Sequence, residues 1–526
     1  MATACGDDGD SGGSSTPDPD KVETGQGAES SKPAPEAVVI AVPKDTDTFD
    51  PQTTLAEDGA QQLMLFLYDT LLRRDLEGKI LPGIAASWDV TPTKGVFTIK
   101  DALTCSDGTP LDAAAVAASF ERFATSPATR GKTRIFGAAG KKSITSDPVA
   151  KTVTIELNSP NNDLVTGVAN AAPIICPAGL ADPDSLSNTQ ASGSGPYVLQ
   201  PGFKKNEQYV LERRNDYTNL PEGTAITDIP KTVTMRVIEK DQTAADFVSA
   251  TANSIAGILS TDATRLQDEG KLVSVPAQAY GTNAVLFAQG EGSKLADIKL
   301  RQGVAMLIDS EQGGAAETQG LGVPRRTLYT PNIDCYDEAA EKYAPAYDPA
   351  AAATFLDTAG YVKGADGFRT KPDGSAMVIN VVGDTTQFKA PDYLAQALKD
   401  GGFNVNLKVG TRAESIQALL TGQFDLGSYP YISSTPLPAL WLNQIGSTGG
   451  DNFGVVNNTD FDTSAAAAQA AADPTERCDL WQAAEKAVLE SANVVPLDQP
   501  VKYWFGNGVT FDARYYKIDP FSIRSA

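Results

Sequence analysis

Whatever chemistry this chain performs, it performs without histidine. None occurs among its 526 residues, which removes the commonest general base, the commonest imidazole metal ligand and the usual haem ligand. Ser-His-Asp and Cys-His catalysis go with it. The 66 Asp and Glu residues leave a two-carboxylate hydrolase open, although spacing alone does not tell which two carboxylates meet. The only Gly-Lys-Thr, Gly131 to Thr133, lacks the earlier glycine that a phosphate-cradling loop needs. Asp45, Asp47 and Asp50 echo a calcium loop, but Phe49 and the missing central glycine spoil the pattern, so a solvated turn is expected. Neither a metal nor a cofactor is expected.

Cysteine is the other reactive residue. Cys105, Cys176, Cys335 and Cys478 form an even set that allows three pairings. In an exported protein they make two disulfides, and in a cytosolic one four buried thiols. Cys5 stands apart, in Thr3-Ala4-Cys5-Gly6, directly ahead of a stretch to about Ala37 that is rich in Gly, Ser, Asp and Pro. Such a stretch buries too little to offset its ordering entropy. Two readings are open. One is the remnant of a bacterial lipoprotein box, with Met1-Ala2 an added start, lipid on the Cys5 thiol and residues 1–36 a disordered tether. The other is a disordered N-terminus that happens to contain a cysteine. The tether and the absence of CxxC motifs favour export.

The rest of the chain must supply the folded body. Its length exceeds what one core organises, so two large lobes or more are expected, and 41% apolar residues suffice for them. No run of about 18 apolar residues is present to span a bilayer. A net charge of −23 argues against nucleic acid as partner and serves solubility. Strands and helices alternate. AVVIAV (Ala37 to Val42) is a short apolar strand, Gln61 to Leu72 a helix, VFTIK (Val96 to Lys100) a strand, and Leu111 to Phe123 a helix with Val116, Phe120 and Phe123 on one stripe. Later, Met377 to Val382, Pro391 to Gly402, Phe403 to Val409, Glu414 to Gly422 and Phe424 to Tyr429 read as β-α-β-α-β, a sheet with crossover helices. Leu295 to Asp309 reads as one helix. Trp88 and Trp481 read as core.

The segment Gly95 to Arg122 resembles the signature of family 5 extracellular solute-binding proteins. It carries Asp107-Gly108, Pro110, Leu111, Ala113, Val116, Ser119 and Arg122 after the strand, with Ala115 where an acid is usual. Gly193-Ser194-Gly195-Pro196-Tyr197, Asn215-Asp216-Tyr217, Leu300 to Ala305 with Ile308-Asp309, Tyr347-Asp348-Pro349 with Ala359-Gly360-Tyr361, and Val495-Pro496-Leu497 follow in family order over about 400 residues. The block after Ile238 is degraded to Asn253-Ser254-Ile255-Ala256-Gly257.

The resemblance implies an α/β, two-lobed periplasmic-binding-protein-like fold of type II, enlarged by an extra subdomain in lobe one and closing on a hinge. By analogy, lobe one takes 37–275, with the subdomain near 76–190, and the return 490–526; lobe two takes 276–489. Disulfides Cys105–Cys176 and Cys335–Cys478 are expected within the lobes, because a bridge between lobes would block closure. The implied function is the substrate-binding subunit of an ABC importer, a lipid-anchored, extracytoplasmic monomer without enzymatic activity that delivers a peptide or peptide-like molecule to a membrane permease. A receptor for an oligosaccharide or specialised metabolite in the same fold is the alternative.

Peptide-binding members place an Asp about nine residues after the cleft strand's Phe/Tyr-Asp, where it meets the peptide ammonium; the position here is Ser434, and a neutral hydroxyl cannot replace that charge. Pro430 also removes a donor from the edge that would pair with a peptide backbone. Tyr429, Tyr431, Ser433, Ser434 and Trp441, with Tyr503 and Trp504 from the tail, are the expected ligand-binding residues, since Tyr and Trp combine apolar surface with a polar handle.

Overall fold

The computed structural model describes residues 32–526 apart from 55–57, 77, 130, 138, 385–388, 434–435 and 515. Two mixed sheets organise it. The first has seven strands in the order Val273–Gln278, Val501–Asn507, Ser254–Ile258, Ala37–Val42, Thr232–Val237, Gln208–Arg213 and Tyr197–Leu199. The Ala37–Val42 strand sits near its middle between two parallel partners. Val38, Ile40 and Val42 enter one apolar cluster and Ala41 another, so the strand is covered on both faces. That double burial is why it reads as a continuous apolar run.

The second sheet has six strands, in the order Val323–Pro324, Val494–Gln499, Tyr280–Phe287, Leu426–Ser433, Val378–Asp384 and Asn404–Gly410. Its last three are parallel neighbours joined through helices Pro391–Asp400 and Arg412–Leu420, the crossover arrangement read from the sequence. The Leu426–Ser433 strand runs four residues beyond the expected Tyr429, through Pro430. It pairs with Tyr280–Phe287 along its whole length but with Val378–Asp384 only at Leu426 and Gly427. A residue without an N–H is tolerated where one edge of the strand goes unused. Taking the first sheet as lobe one and the second as lobe two, Val494–Gln499 falls in lobe two, so the chain re-enters the lobe-one sheet at Val501 rather than at the expected 490.

A four-stranded antiparallel sheet, Ala85–Thr91, Lys94–Ile99, Thr152–Leu157 and Lys141–Asp147, forms the subdomain with helix Ala113–Thr125. Asp112 caps this helix by accepting from the Ala115 N–H at 2.9 Å. Val116, Phe120 and Phe123 face the subdomain core, each contributing about 2 kcal/mol by burial. Ser119 and Arg122 bind protein rather than ligand: Gln52 donates to the Ser119 hydroxyl at 3.1 Å, and Arg122 pairs with Asp50 and donates to Gln52 Oε1 at 2.8 Å. Asp50 is therefore a buried anchor, 4% exposed, and not part of a solvated turn. Gly193 and Gly195 lie against the Leu67 backbone, where a Cβ on Gly193 would meet the Leu67 carbonyl oxygen.

Two expected helices differ. The helix expected over Leu295 to Asp309 shortens to Ile298–Ala305, and a new helix, Ser310–Thr318, begins directly after the stretch, because Asp297 and Asp309 each cap a start. The helix Asp58–Leu67 ends early, and Leu72–Arg74 becomes a strand. Trp481 is core at 1% exposure, and Trp88 is half-buried against the subdomain. Among the described residues no helix is long and apolar enough to cross a membrane.

Candidate functional site

The chain passes between the two large sheets where strand runs into strand with one residue between: Gln278, Ala279, Tyr280 and, antiparallel to it, Gln499, Pro500, Val501. The Ala279 N–H donates to the Pro500 carbonyl at 2.9 Å. A polar knot holds this junction. Gln499, fully buried, donates to Ala279 O at 2.8 Å and to Asn332 Oδ1 at 3.1 Å, while Asn332 donates to Ala279 O at 3.0 Å. Thr330 completes it, donating to Asn332 Oδ1 at 2.7 Å and accepting from the Gly281 N–H at 3.0 Å.

The end of the Leu426–Ser433 strand reaches the same junction, with Tyr431 opposite Thr282 and Ser433 opposite Tyr280. Tyr429 and Tyr431 share one face, as the two-residue period of a strand requires. Their rings meet edge-to-face at 5.2 Å, and Tyr429 meets Phe453 at 5.6 Å. Trp441 packs on Tyr329 at 4.9 Å. The Tyr431 hydroxyl, Trp441 Nε1 and Gln444 Oε1 are buried and have no hydrogen-bond partner among the described residues. Burial holds the Tyr431 and Tyr429 hydroxyls far above their ordinary pKa, so both are neutral donors. The arrangement is an aromatic, desolvated set of donors and one acceptor, suited to amide-like groups, with the Asp451 carboxylate close enough to Tyr429 to push its hydroxyl further up.

The expected residues thus divide. Tyr429, Tyr431 and Trp441 come together in lobe two, although Trp441 is fully buried in that lobe's core rather than lining an open surface. Tyr503 and Trp504 do not join them. As neighbours on one strand they point to opposite faces, Tyr503 packing with Leu321 and Phe505, and Trp504 entering the main lobe-one core, 1% exposed, under the Lys502 ammonium at 4.6 Å. One pocket cannot use both. Ser433 ends the strand; Ser434 and Cys5 lie outside the described residues. The disulfides are Cys105–Cys176 and Cys335–Cys478, one in each lobe. Sequence reading missed Asn332, Thr330 and Gln499, whose partners lie far away along the chain and leave no local pattern. A cavity of about 200 Å³ opens elsewhere in lobe two, beside Leu307, Tyr347, Tyr393 and Gln396, and contains none of the expected residues.

Comparison with known proteins agrees with this architecture. Protein XP55 of Streptomyces lividans is 26% identical over 492 residues, 89% of this chain and 84% of that protein. The periplasmic murein peptide-binding protein MppA of Escherichia coli (strain K12) is 26% identical over 469 residues, 83% of each. A solved substrate binding protein from Microbacterium hydrocarbonoxydans, complexed with 4-hydroxybenzoate hydrazide, superposes with a TM-score of 0.74 at 26% identity, covering 94% of this chain and 100% of that one. The family model for bacterial extracellular solute-binding proteins, family 5, matches residues 79–453. With two sheets joined by two strand crossings, the chain belongs to that family, and its role is that of the substrate-binding subunit of an ABC importer.

Proposed function

We propose that the chain closes its lobes on a peptide or peptide-like small molecule rich in amide groups and delivers it to a membrane permease without transforming it. The observation that carries this reading is the wholly buried, unpartnered Tyr431 hydroxyl at the end of a strand that reaches the lobe junction. A ligand carbonyl reaching the cleft end of the strand would satisfy that hydroxyl, and a ligand N–H would satisfy Gln444 Oε1. MppA, named for murein peptide, supports the peptide class. A second reading, a small aromatic amide, is favoured by the Tyr429, Tyr431 and Phe453 ring set, and the hydrazide held by the Microbacterium protein supports it.

Native mass spectrometry of the purified protein before and after mild denaturation, with fragmentation of whatever is released, tests both. A heterogeneous set of short peptides supports the first reading, and one discrete aromatic mass the second. A released sugar would overturn both and restore the oligosaccharide receptor. Lipid on Cys5 is part of the same proposal, supported by Thr3-Ala4-Cys5-Gly6. Cys5→Ser would then move the protein from the membrane fraction to the soluble one, and the protein would otherwise behave as a monomer.

A further inference from the structure

The lobes touch at a place other than the hinge. Arg74, at the end of strand Leu72–Arg74 on the lobe-one side, pairs with Asp334 of lobe two at 3.2 Å, with side chains 10% and 35% exposed. Close by, helix Leu164–Asn170 packs on that same strand. The residue two before the helix, Asn162, donates to the Gln469 carbonyl of lobe two at 3.1 Å and also to the Ala471 carbonyl. Asp163 beside it is 6% exposed and faces Arg477 and Asp334, both of lobe two.

The two lobe-two charges are not placed independently. Asp334 immediately precedes Cys335, Arg477 immediately precedes Cys478, and the two cysteines are bonded to each other. Cys335 itself stands in the left-handed region at φ +68°, and its carbonyl accepts from Gln482 at 3.2 Å, so the turn is fastened to helix Pro474–Glu490 on two counts. The Asp334 N–H donates to the Pro436 carbonyl at 2.9 Å. Two residues upstream, Asn332 bonds the Ala279 carbonyl and Gln499, at the chain crossings themselves. One short turn therefore reaches the hinge at one end and the opposite lobe at the other.

We propose that the turn 330–335, tied by the Cys335–Cys478 disulfide to helix Pro474–Glu490, is an interlobe strap that stabilises the closed form through Arg74, Asn162 and Asp163 of lobe one. Its residues are positioning residues: they set how long the lobes stay closed without touching the ligand. The disulfide's part is to hold Asp334 and Arg477 at fixed positions on one surface, so that closing the lobes orders few side chains and the contact loses less to entropy. Burial pushes the Asp163 carboxyl up to about 6; Arg477 pulls it down and the like charge of Asp334 pushes it further up, so that Arg477 is its attractive partner across the strap. The inference depends on the two-lobed fold and not on which molecule the cleft holds.

The test is a distance measurement on the full chain without added ligand. Nitroxide labels at Val149→Cys, 90% exposed on the subdomain, and Leu420→Cys, 60% exposed on lobe two, report the lobe separation in a Cys5→Ser background. The strap predicts that Arg74→Asp and Asp334→Arg each lower the ratio of closed to open lobes about threefold, the range of a partly exposed ion pair. The swapped double variant restores the ratio, a rescue that a merely structural role would not give. Cys335→Ser with Cys478→Ser shifts it the same way. If that variant fails to fold, the charge swap decides alone. Unchanged distance distributions in both single charge variants, or opening that the swap does not reverse, overturn the proposal.

Discussion

Ala279 and Pro500 are the single residues by which the chain leaves one sheet and enters the other, and the N–H of the first donates to the carbonyl of the second at 2.9 Å. The two crossings are thereby one unit. Rotation of the lobes has to be absorbed by residues flanking this bond, while the buried polar knot around it stays assembled.

Gln499 is the member whose loss should be felt most. Its side chain satisfies the Ala279 carbonyl and Asn332 at once, in a fully buried position where no water replaces it. Gln499→Ala leaves the Ala279 carbonyl with the Asn332 amide alone and Asn332 Oδ1 with the Thr330 hydroxyl alone, and should lower the free energy of denaturant unfolding by about 1 kcal/mol. Urea unfolding followed by tryptophan fluorescence checks this. A loss below about 0.5 kcal/mol would mean that the knot does not hold the crossings.

Tyr431→Phe separates a ligand contact from a core contact. The hydroxyl is buried and has no partner among the described residues, so its removal should raise stability by about 1 kcal/mol. If the ligand supplies the missing acceptor, affinity should fall about five- to tenfold in the same variant. Thermal denaturation and calorimetric titration with the ligand recovered by mass spectrometry read the two effects. Raised stability with unchanged affinity would place Tyr431 in the core alone.

Stability should decline as pH rises from acid to mildly basic. Burial pushes the Asp498 and Glu485 carboxyls up to about 8 each, against the donors that each accepts from, Asn283 for the first and the Tyr329 and Leu328 N–H groups for the second. In the unfolded chain carboxyls ionise near pH 4, so between about 4 and 8 the folded form binds more protons than the unfolded form. The stability these groups contribute is fully present below that window and is lost as pH climbs to its upper end. Each group contributes a slope of about 1.4 kcal/mol per pH unit at most, and Asp498→Asn should remove one such share. Urea midpoints from pH 5 to 9 give the slope; equal slopes for wild type and variant would contradict the assignment.

The β-α-β-α-β run of lobe two was legible because each element carries its own apolar period, as in Leu394, Ala395 and Leu398 of one crossover helix. The junction was not. Gln499 and Asn332 are 167 residues apart, and nothing at either position marks it as the partner of the other. Aromatic residues misled in a different way: Trp504 shares a strand with Tyr503, and the strand period sends the two to opposite faces, a fact that identity and rough position do not reveal. Gly281 illustrates what a sequence hides altogether. Its φ of +98° and a Cβ position 2.3 Å from the Tyr431 carbonyl oxygen exclude any side chain, yet no local motif announces it.

The Cys105–Cys176 bridge supplies a prediction confined to the subdomain. Both half-cystines are fully buried in its core, and the bond closes 71 residues of chain that include helix Ala113–Thr125 and two of the four strands in full. A loop of that length restrains the unfolded state by about 4 kcal/mol on the chain-entropy model. Cys105→Ala with Cys176→Ala should therefore unfold the subdomain at lower denaturant than the rest. Hydrogen exchange should show protection lost over residues 85–157 while the strands of lobe two keep theirs. Loss spread evenly over both lobes would instead show that the subdomain unfolds only with the whole chain.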